Sequence, residues 1–160
     1  MIKVTLITVG KIKEKYFAEA SVEYEKRLSA YCKLEVKEVA AARLPQEPSA
    51  AEISAALKSE AERIMRAIPQ RSYLIPLCIE GKQMPSEQLS KKIESAVMSS
   101  AGGLCFIIGG SYGIADEIKS KADLKLSMSE MTFPHRLARV MLLEQIYRAF
   151  KISEGGTYHK

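Results

Sequence analysis

Three stretches toward the C-terminal end of this sequence combine residue types that can bind or transform a small molecule. The first is Leu104-Cys105-Phe106-Ile107-Ile108-Gly109-Gly110-Ser111-Tyr112-Gly113, an apolar run that ends in a glycine-rich turn. At the carboxyl end of a buried strand in an open α/β sheet a ligand can meet the backbone, and glycine lets it approach closely. The pattern lacks Gly-x-Gly-x-x-Gly and has no Gly-Lys-Ser/Thr, so dinucleotide and nucleoside triphosphate chemistry is not supported. A ligand-bearing turn and a plain tight turn both fit these residues. The second stretch, Leu126 to Arg136, is a small polar loop leading into a proline-started helix. It fits either a binding loop or a helix entry capped by Thr132. The third is the tail Gly155-Gly156-Thr157-Tyr158-His159-Lys160. Its tyrosine and histidine could contact a base, a phosphate or a transferable proton, whereas the ordinary expectation for such an end is fraying.

The elements that must hold these stretches follow from periodicity. Ile2 to Val9 reads as a strand stopped by Gly10. Lys11 to Tyr31 reads as a helix, with Tyr16, Ala20, Tyr24, Leu28 and Tyr31 on one face. Leu34 to Val39 alternates like a half-buried strand. Ala40 to Pro48 is a loop, and Ser49 with Glu52 forms a capping box for the next helix. Tyr73 to Ile79 is an apolar run suited to a strand covered on both faces, but Pro76 cannot donate to a ladder, so pairing should bulge or stop there. Pro85-Ser86 opens a helix, Leu104 to Ile108 is a second buried strand, and a short helix starts near Ile114. Asp123 to Ser127 reads as a short strand. The last helix runs from Phe133-Pro134 to about Ile152 and is apolar nearly all round, which suits burial on two sides, one against its own sheet and one against a second subunit. Core burial alone is the competing account. Strands alternating with helices predict an α/β fold with a mostly parallel sheet flanked by helices.

The chain has 160 residues, 47% of them hydrophobic and 27% charged, which fits one ordinary globular domain over 1–160 with residues 153–160 as a flexible tail. No apolar run approaches the roughly 18 residues of a membrane span, and the first residues do not form a secretion signal. A cytoplasmic protein is therefore expected. Cys32, Cys78 and Cys105 show no Cys-x-x-Cys spacing and read as buried thiols in a reducing compartment. With only His135 and His159 present, no metal site is expected. The net charge of +5 suits an anionic partner such as nucleic acid without proving one.

Taken together, these stretches resemble the ribosomal large-subunit methyltransferase H family of the SPOUT superfamily. Ile108-Gly109-Gly110-Ser111-Tyr112-Gly113 is similar to its glycine turn. Leu126-Ser127 through Thr132-Phe133-Pro134-His135 is similar to its polar loop, and Tyr147-Arg148-Ala149 with Tyr158-His159 to its last helix and tail. Ile2 to Gly10 and Ile75 to Lys82 also fit, so the likeness covers essentially the whole chain. The resemblance implies a C-terminal trefoil knot, a homodimer, and methylation of N3 of pseudouridine 1915 in helix 69 of 23S rRNA, with the ribosome as partner. It implies S-adenosyl-L-methionine as methyl donor, held by Leu77, Gly109, Met128, Ser129, Glu130, Met131, Thr132 and Phe133. His159 and Tyr158 become candidates for orienting the base or handling its proton. Arg136, Arg139, Arg148 and Lys160 become candidates for RNA contacts. A SPOUT enzyme acting on another rRNA or tRNA site, and a ribosome-binding factor without catalysis, remain the alternatives.

Overall fold

Four parallel strands in the order β2-β1-β4-β3 form the sheet of the computed structural model, which describes residues 1–160. They are β1 (Ile2–Val9), β2 (Cys32–Val39), β3 (Tyr73–Lys82) and β4 (Leu104–Ile108). Five helices connect or follow them: α1 (Lys15–Leu28), α2 (Ala50–Ala67), α3 (Ser86–Ser99), α4 (Asp116–Lys119) and α5 (His135–Ser153). The two central strands are buried on both faces, as their continuous apolar runs require. Successive side chains point to opposite faces, so Val4 and Leu6 join Leu28, Leu142 and Ile146 in one core, while Ile7 and Val9 join Ala61, Ile64 and Ile118 in the other. The expected α/β class and parallel sheet are what the chain forms.

Pro76 acts as its chemistry predicts. The β3–β4 ladder runs from Tyr73↔Leu104 to Pro76↔Ile107 and ends there. Beyond it Leu77 and Lys82 each form an isolated bridge to Leu126. The strand expected over 123–127 is not formed. Leu74 is the reason: its N–H donates to the Asp123 carboxylate at 2.7 Å, and its carbonyl accepts from the Asp123 and Leu124 N–H groups at 2.9 and 3.2 Å. A side chain has taken the place of a ladder partner. The first helix is also shorter than expected, because Lys11 to Glu14 are not helical and the chain turns after Leu28 to enter β2 in register with β1.

Helix starts and stops follow local chemistry. Ser49 and Glu52 close a reciprocal capping box, with the Glu52 N–H donating to Ser49 Oγ at 3.2 Å. Helix α5 packs between α1 and α3 and buries Leu142, Leu143 and Ile146 fully, each contributing about 1.5–3 kcal/mol relative to exposure. It ends in a Schellman motif: Gly155 has φ +74°, and the Gly156 N–H returns to the Lys151 carbonyl at 2.8 Å. The glycine pair therefore reverses the chain and lays the last residues back along α5.

Candidate cofactor site

The carboxyl ends of β3 and β4 open into a cavity of about 630 Å³. Its walls are Leu77 to Ile79 from β3, Ile108 to Ser111 and Gly113 from the glycine turn, Leu126 to Ser129 and Met131 to Pro134 from the polar loop, and His135 and Ala138 from the first turns of α5. Seven of the eight residues expected to hold the cofactor lie on these walls: Leu77, Gly109, Met128, Ser129, Met131, Thr132 and Phe133. Glu130 is exposed and lies outside the lining.

The turn's glycines have distinct reasons to be there. A Cβ on Gly109 would collide with the Gly113 carbonyl oxygen, lie 2.6 Å from the Gly113 carbonyl carbon and 2.8 Å from Ile114 Cγ1. Gly113 has open space around it but φ +83°, which L side chains avoid. Its N–H closes the turn onto the Gly110 carbonyl at 3.0 Å. Gly110 is less constrained, its nearest neighbour being Val9 Cγ1 at 3.4 Å.

The polar loop braces itself. Ser127 Oγ donates to the Ser129 carbonyl at 3.1 Å, and the Met131 N–H donates to Ser129 Oγ at 3.0 Å. Thr132 makes no capping bond, since Pro134 occupies the N-cap of α5. Sequence reading left His135 and Cys78 out of the site, although both stand on its wall. Burial, then the nearby Arg136 charge, lowers the His135 pKa and keeps the imidazole neutral. Burial raises the Cys78 pKa, so this sulfur remains a thiol rather than a nucleophile. No group of three or more His, Cys, Asp or Glu side chains could hold a metal ion.

A second cluster joins the tail to α5 and α3. Tyr158 donates its hydroxyl to Glu144 Oε1 at 3.1 Å, and Arg148 Nε donates to the same oxygen at 2.9 Å. His159 Nδ1 lies 3.2 Å from Arg148 Nη1, and its Nε2 lies 2.7 Å from Glu87. A guanidinium can only donate, so Nδ1 accepts and Nε2 carries the proton given to Glu87. The Tyr158 pKa is pushed up to about 12, first by burial and then by Glu144, which keeps the phenol protonated.

The arginines expected to meet RNA are held within the fold. Arg136 Nη1 pairs with Glu14 at 2.9 Å, Arg139 Nη1 with Glu38 at 3.0 Å, and Arg148 with Glu144. Lys160 is exposed. A second cavity, of about 560 Å³, shares Leu126 to Met128 with the first and is lined by Tyr24, Met84, Val140 and Met141 among others. No helix is long and apolar enough to cross a membrane.

Residues 2–159 match the family model described as "Predicted SPOUT methyltransferase". The chain is 48% identical over 157 residues to the ribosomal RNA large subunit methyltransferase H of Leuconostoc mesenteroides, covering 98% of this chain and 99% of that one. It is 48% identical over 158 residues to the protein of the same name from Acetivibrio thermocellus, covering 99% of each. Among solved structures, TrmJ from Z. mobilis superposes with a TM-score of 0.52 at 14% identity, over 100% of this chain and 72% of that one, a likeness of fold.

Proposed function

The chain belongs to the SPOUT methyltransferase family, and from that premise we propose that it moves the methyl group of S-adenosylmethionine onto N3 of a pseudouridine in large-subunit rRNA, at position 1915 of helix 69. The observation that carries this reading is the near-half identity, over almost the whole chain, with two large-subunit rRNA methyltransferases.

The cavity suits the donor. Its volume lies within the roughly 300–1,000 Å³ of small-molecule sites. Its lining contains no carboxylate and no lysine or arginine, so it offers methionine, phenylalanine, hydroxyl and backbone groups to an adenosyl moiety and a sulfonium. Leu77, Gly109 and the loop from Met128 to Phe133 would hold the molecule, chiefly through backbone. When bound, S-adenosylmethionine supplies a methyl group already activated on sulfur, so the protein's task is proximity and orientation. N3 must lose its proton as it gains the methyl group. Tyr158, held protonated, serves as a hydrogen-bond donor that orients the base. His159 is the residue proposed to take the proton once it leaves Arg148 and Glu87. Lys160 and exposed lysines such as Lys11 and Lys13 would neutralise phosphates.

The same reading includes a homodimer, a C-terminal trefoil knot and a cytoplasmic location beside the ribosome. The half-buried Val140 and Met141 on α5, which line the second cavity, support a second copy as their cover. The knot is supported by the arch of residues 77–82, both ends of which bridge Leu126. The test is methylation of 70S ribosomes and of free rRNA, followed by nucleoside mass analysis of helix 69. One added methyl on its pseudouridine is expected; product only in tRNA or at another rRNA nucleotide would overturn the assignment.

A further inference from the structure

Arg139 is the one guanidinium that the fold buries, at 8% exposure, and its immediate surroundings are polar. Its Nη1 donates to Glu38 Oε2 at 3.0 Å near the end of β2, and Nη2 lies 3.8 Å from Glu25 on α1. Thr8 stands in register with Glu38 on the neighbouring strand, and Ser21 lies one helical turn before Glu25. Thr8 Oγ1, Ser21 Oγ and Arg139 Nε are all buried without a hydrogen-bond partner. A polar wedge of this kind is a poor device for stability, because desolvating the charges offsets most of their attraction. Its strength is geometric, since the Glu38 carboxylate accepts from one edge of the planar group while the Glu25 charge stands beside the other.

What the wedge fixes is the beginning of α5. Pro134, His135 and Ala138 line the cofactor cavity, and Arg139 follows directly. One turn earlier Arg136 makes a parallel attachment, with Nη1 on Glu14 at 2.9 Å and Nε on the Lys11 carbonyl at 3.3 Å. The last residues of the polar loop, Met131 to Phe133, therefore enter a helix whose rotation and axial position are tied to β2, α1 and the segment between β1 and α1.

We propose that Arg139 is a positioning residue that sets the α5 wall of the cofactor cavity through Glu38 and Glu25, and that it makes no contact with RNA phosphate. This rests on the assignment of the cavity to S-adenosylmethionine. The guanidinium is buried and its charge is met by Glu38 and Glu25, whereas a phosphate contact needs an accessible cation.

The experiment uses the full chain and three variants: Arg139→Lys, Glu38→Gln, and the double variant Arg139→Met with Glu38→Met. The double variant removes both members of the closest pair, so no strongly buried charge is stranded and the protein should fold. For each, calorimetry with S-adenosylmethionine, thermal melting, and the salt dependence of helix 69 RNA binding are measured. Cofactor affinity should fall about tenfold in Arg139→Lys and in the double variant, as expected for a wall displaced by a fraction of an ångström. Glu38→Gln, which keeps an acceptor, should fall less. The melting temperature of the double variant should stay near that of the parent, and the RNA salt slope should not change. Unaltered cofactor affinity in all three variants would overturn the proposal. So would a slope reduced by about 0.7, the signature of one lost phosphate contact. If the parent protein itself bound no S-adenosylmethionine, the cofactor assignment would fail instead, a different result from either.

Discussion

The Tyr158 hydroxyl donates to Glu144 at 3.1 Å across the 14 residues in which the chain leaves α5, reverses at Gly155 and returns. Glu144 thereby joins Arg148 to the tail, and His159 reaches Glu87 on α3. Both imidazole nitrogens are occupied in this arrangement, so the tail must leave it before His159 can act on a substrate. Removing Thr157 to Lys160 takes away these tail bonds without touching either the cavity walls or the α5 core. Cofactor affinity measured by calorimetry should stay within about twofold of the full chain. Methyl transfer should fall by at least about a hundredfold, the size of a lost proton-transfer and orientation contribution. Full activity in the truncated protein would remove Tyr158 and His159 from the reaction.

The glycine turn gives a sharper test than a single large substitution. Gly109→Ala forces a Cβ into the Gly113 carbonyl, which is backbone and cannot swing aside. Gly110→Ala comes no closer than 3.4 Å to anything, with Val9 Cγ1 nearest and Glu60 Oε1 at 3.8 Å. The first change should abolish detectable cofactor binding and lower stability by about 1–3 kcal/mol through overpacking. The second should leave stability within about 0.5 kcal/mol, as for a tolerated substitution. Denaturant melts and calorimetry on both variants decide the matter. Equal behaviour would mean that the turn relaxes and does not shape the site.

Much of this was legible because local chemistry and global fold agree. Pro76 marked the end of a ladder, Ser49 and Glu52 marked a helix start, and Gly109 with Gly113 marked a turn that only glycine can make. The misreadings arose where a distant group intervened. Residues 123–127 read as a strand, yet the Asp123 carboxylate takes the Leu74 N–H, and nothing in those five residues announces Leu74. Thr132 looked like a cap, yet Pro134 already sets the entry into α5. Sequence shows the charge of Arg136, Arg139 and Arg148 without showing Glu14, Glu38 and Glu144 opposite, so these ion pairs were not legible in it. His135 went unassigned because its place on the wall depends on a helix packing angle.

His135 also gives the site a pH dependence. Its folded-state pKa lies below the ordinary value of 6.5, so the folded protein favours the neutral ring. Between the folded and unfolded values the unfolded chain binds more proton. Stability is therefore full above about pH 6.5, falls as the pH drops toward the lowered value, and levels out beneath it. A sulfonium in the cavity adds repulsion toward an imidazolium, so cofactor affinity should be flat above neutrality and weaken on acidification. His135→Asn should flatten that acid limb in calorimetry between pH 5 and 8. An acid limb of the same size in the variant would assign it to another group.

If two copies meet on the outer face of α5, each tail leaves the helix close to the subunit boundary and could serve its partner's cavity. The paired cavities suit this in geometry: Leu126 to Met128 separate the cofactor cavity from the one flanked by Tyr24, Met141 and Glu144, and Glu144 holds Tyr158. A partner lying in the second cavity would displace the tail from Glu144 and place it beside the wall it shares with the first. Sedimentation at micromolar protein should show a dimer. Subunits lacking Thr157 to Lys160 and subunits carrying Gly109→Val should each be inactive alone. In a mixed dimer one cavity is intact but lacks its own tail, and the other subunit carries a tail beside a disabled cavity. Donation across the boundary predicts that mixing restores activity, approaching half of the parent's per mixed dimer if each intact cavity works independently. Mixed dimers demonstrated by differential tagging, yet inactive, would confine each tail to its own subunit. A monomer with full activity would reject the dimer and the donation together.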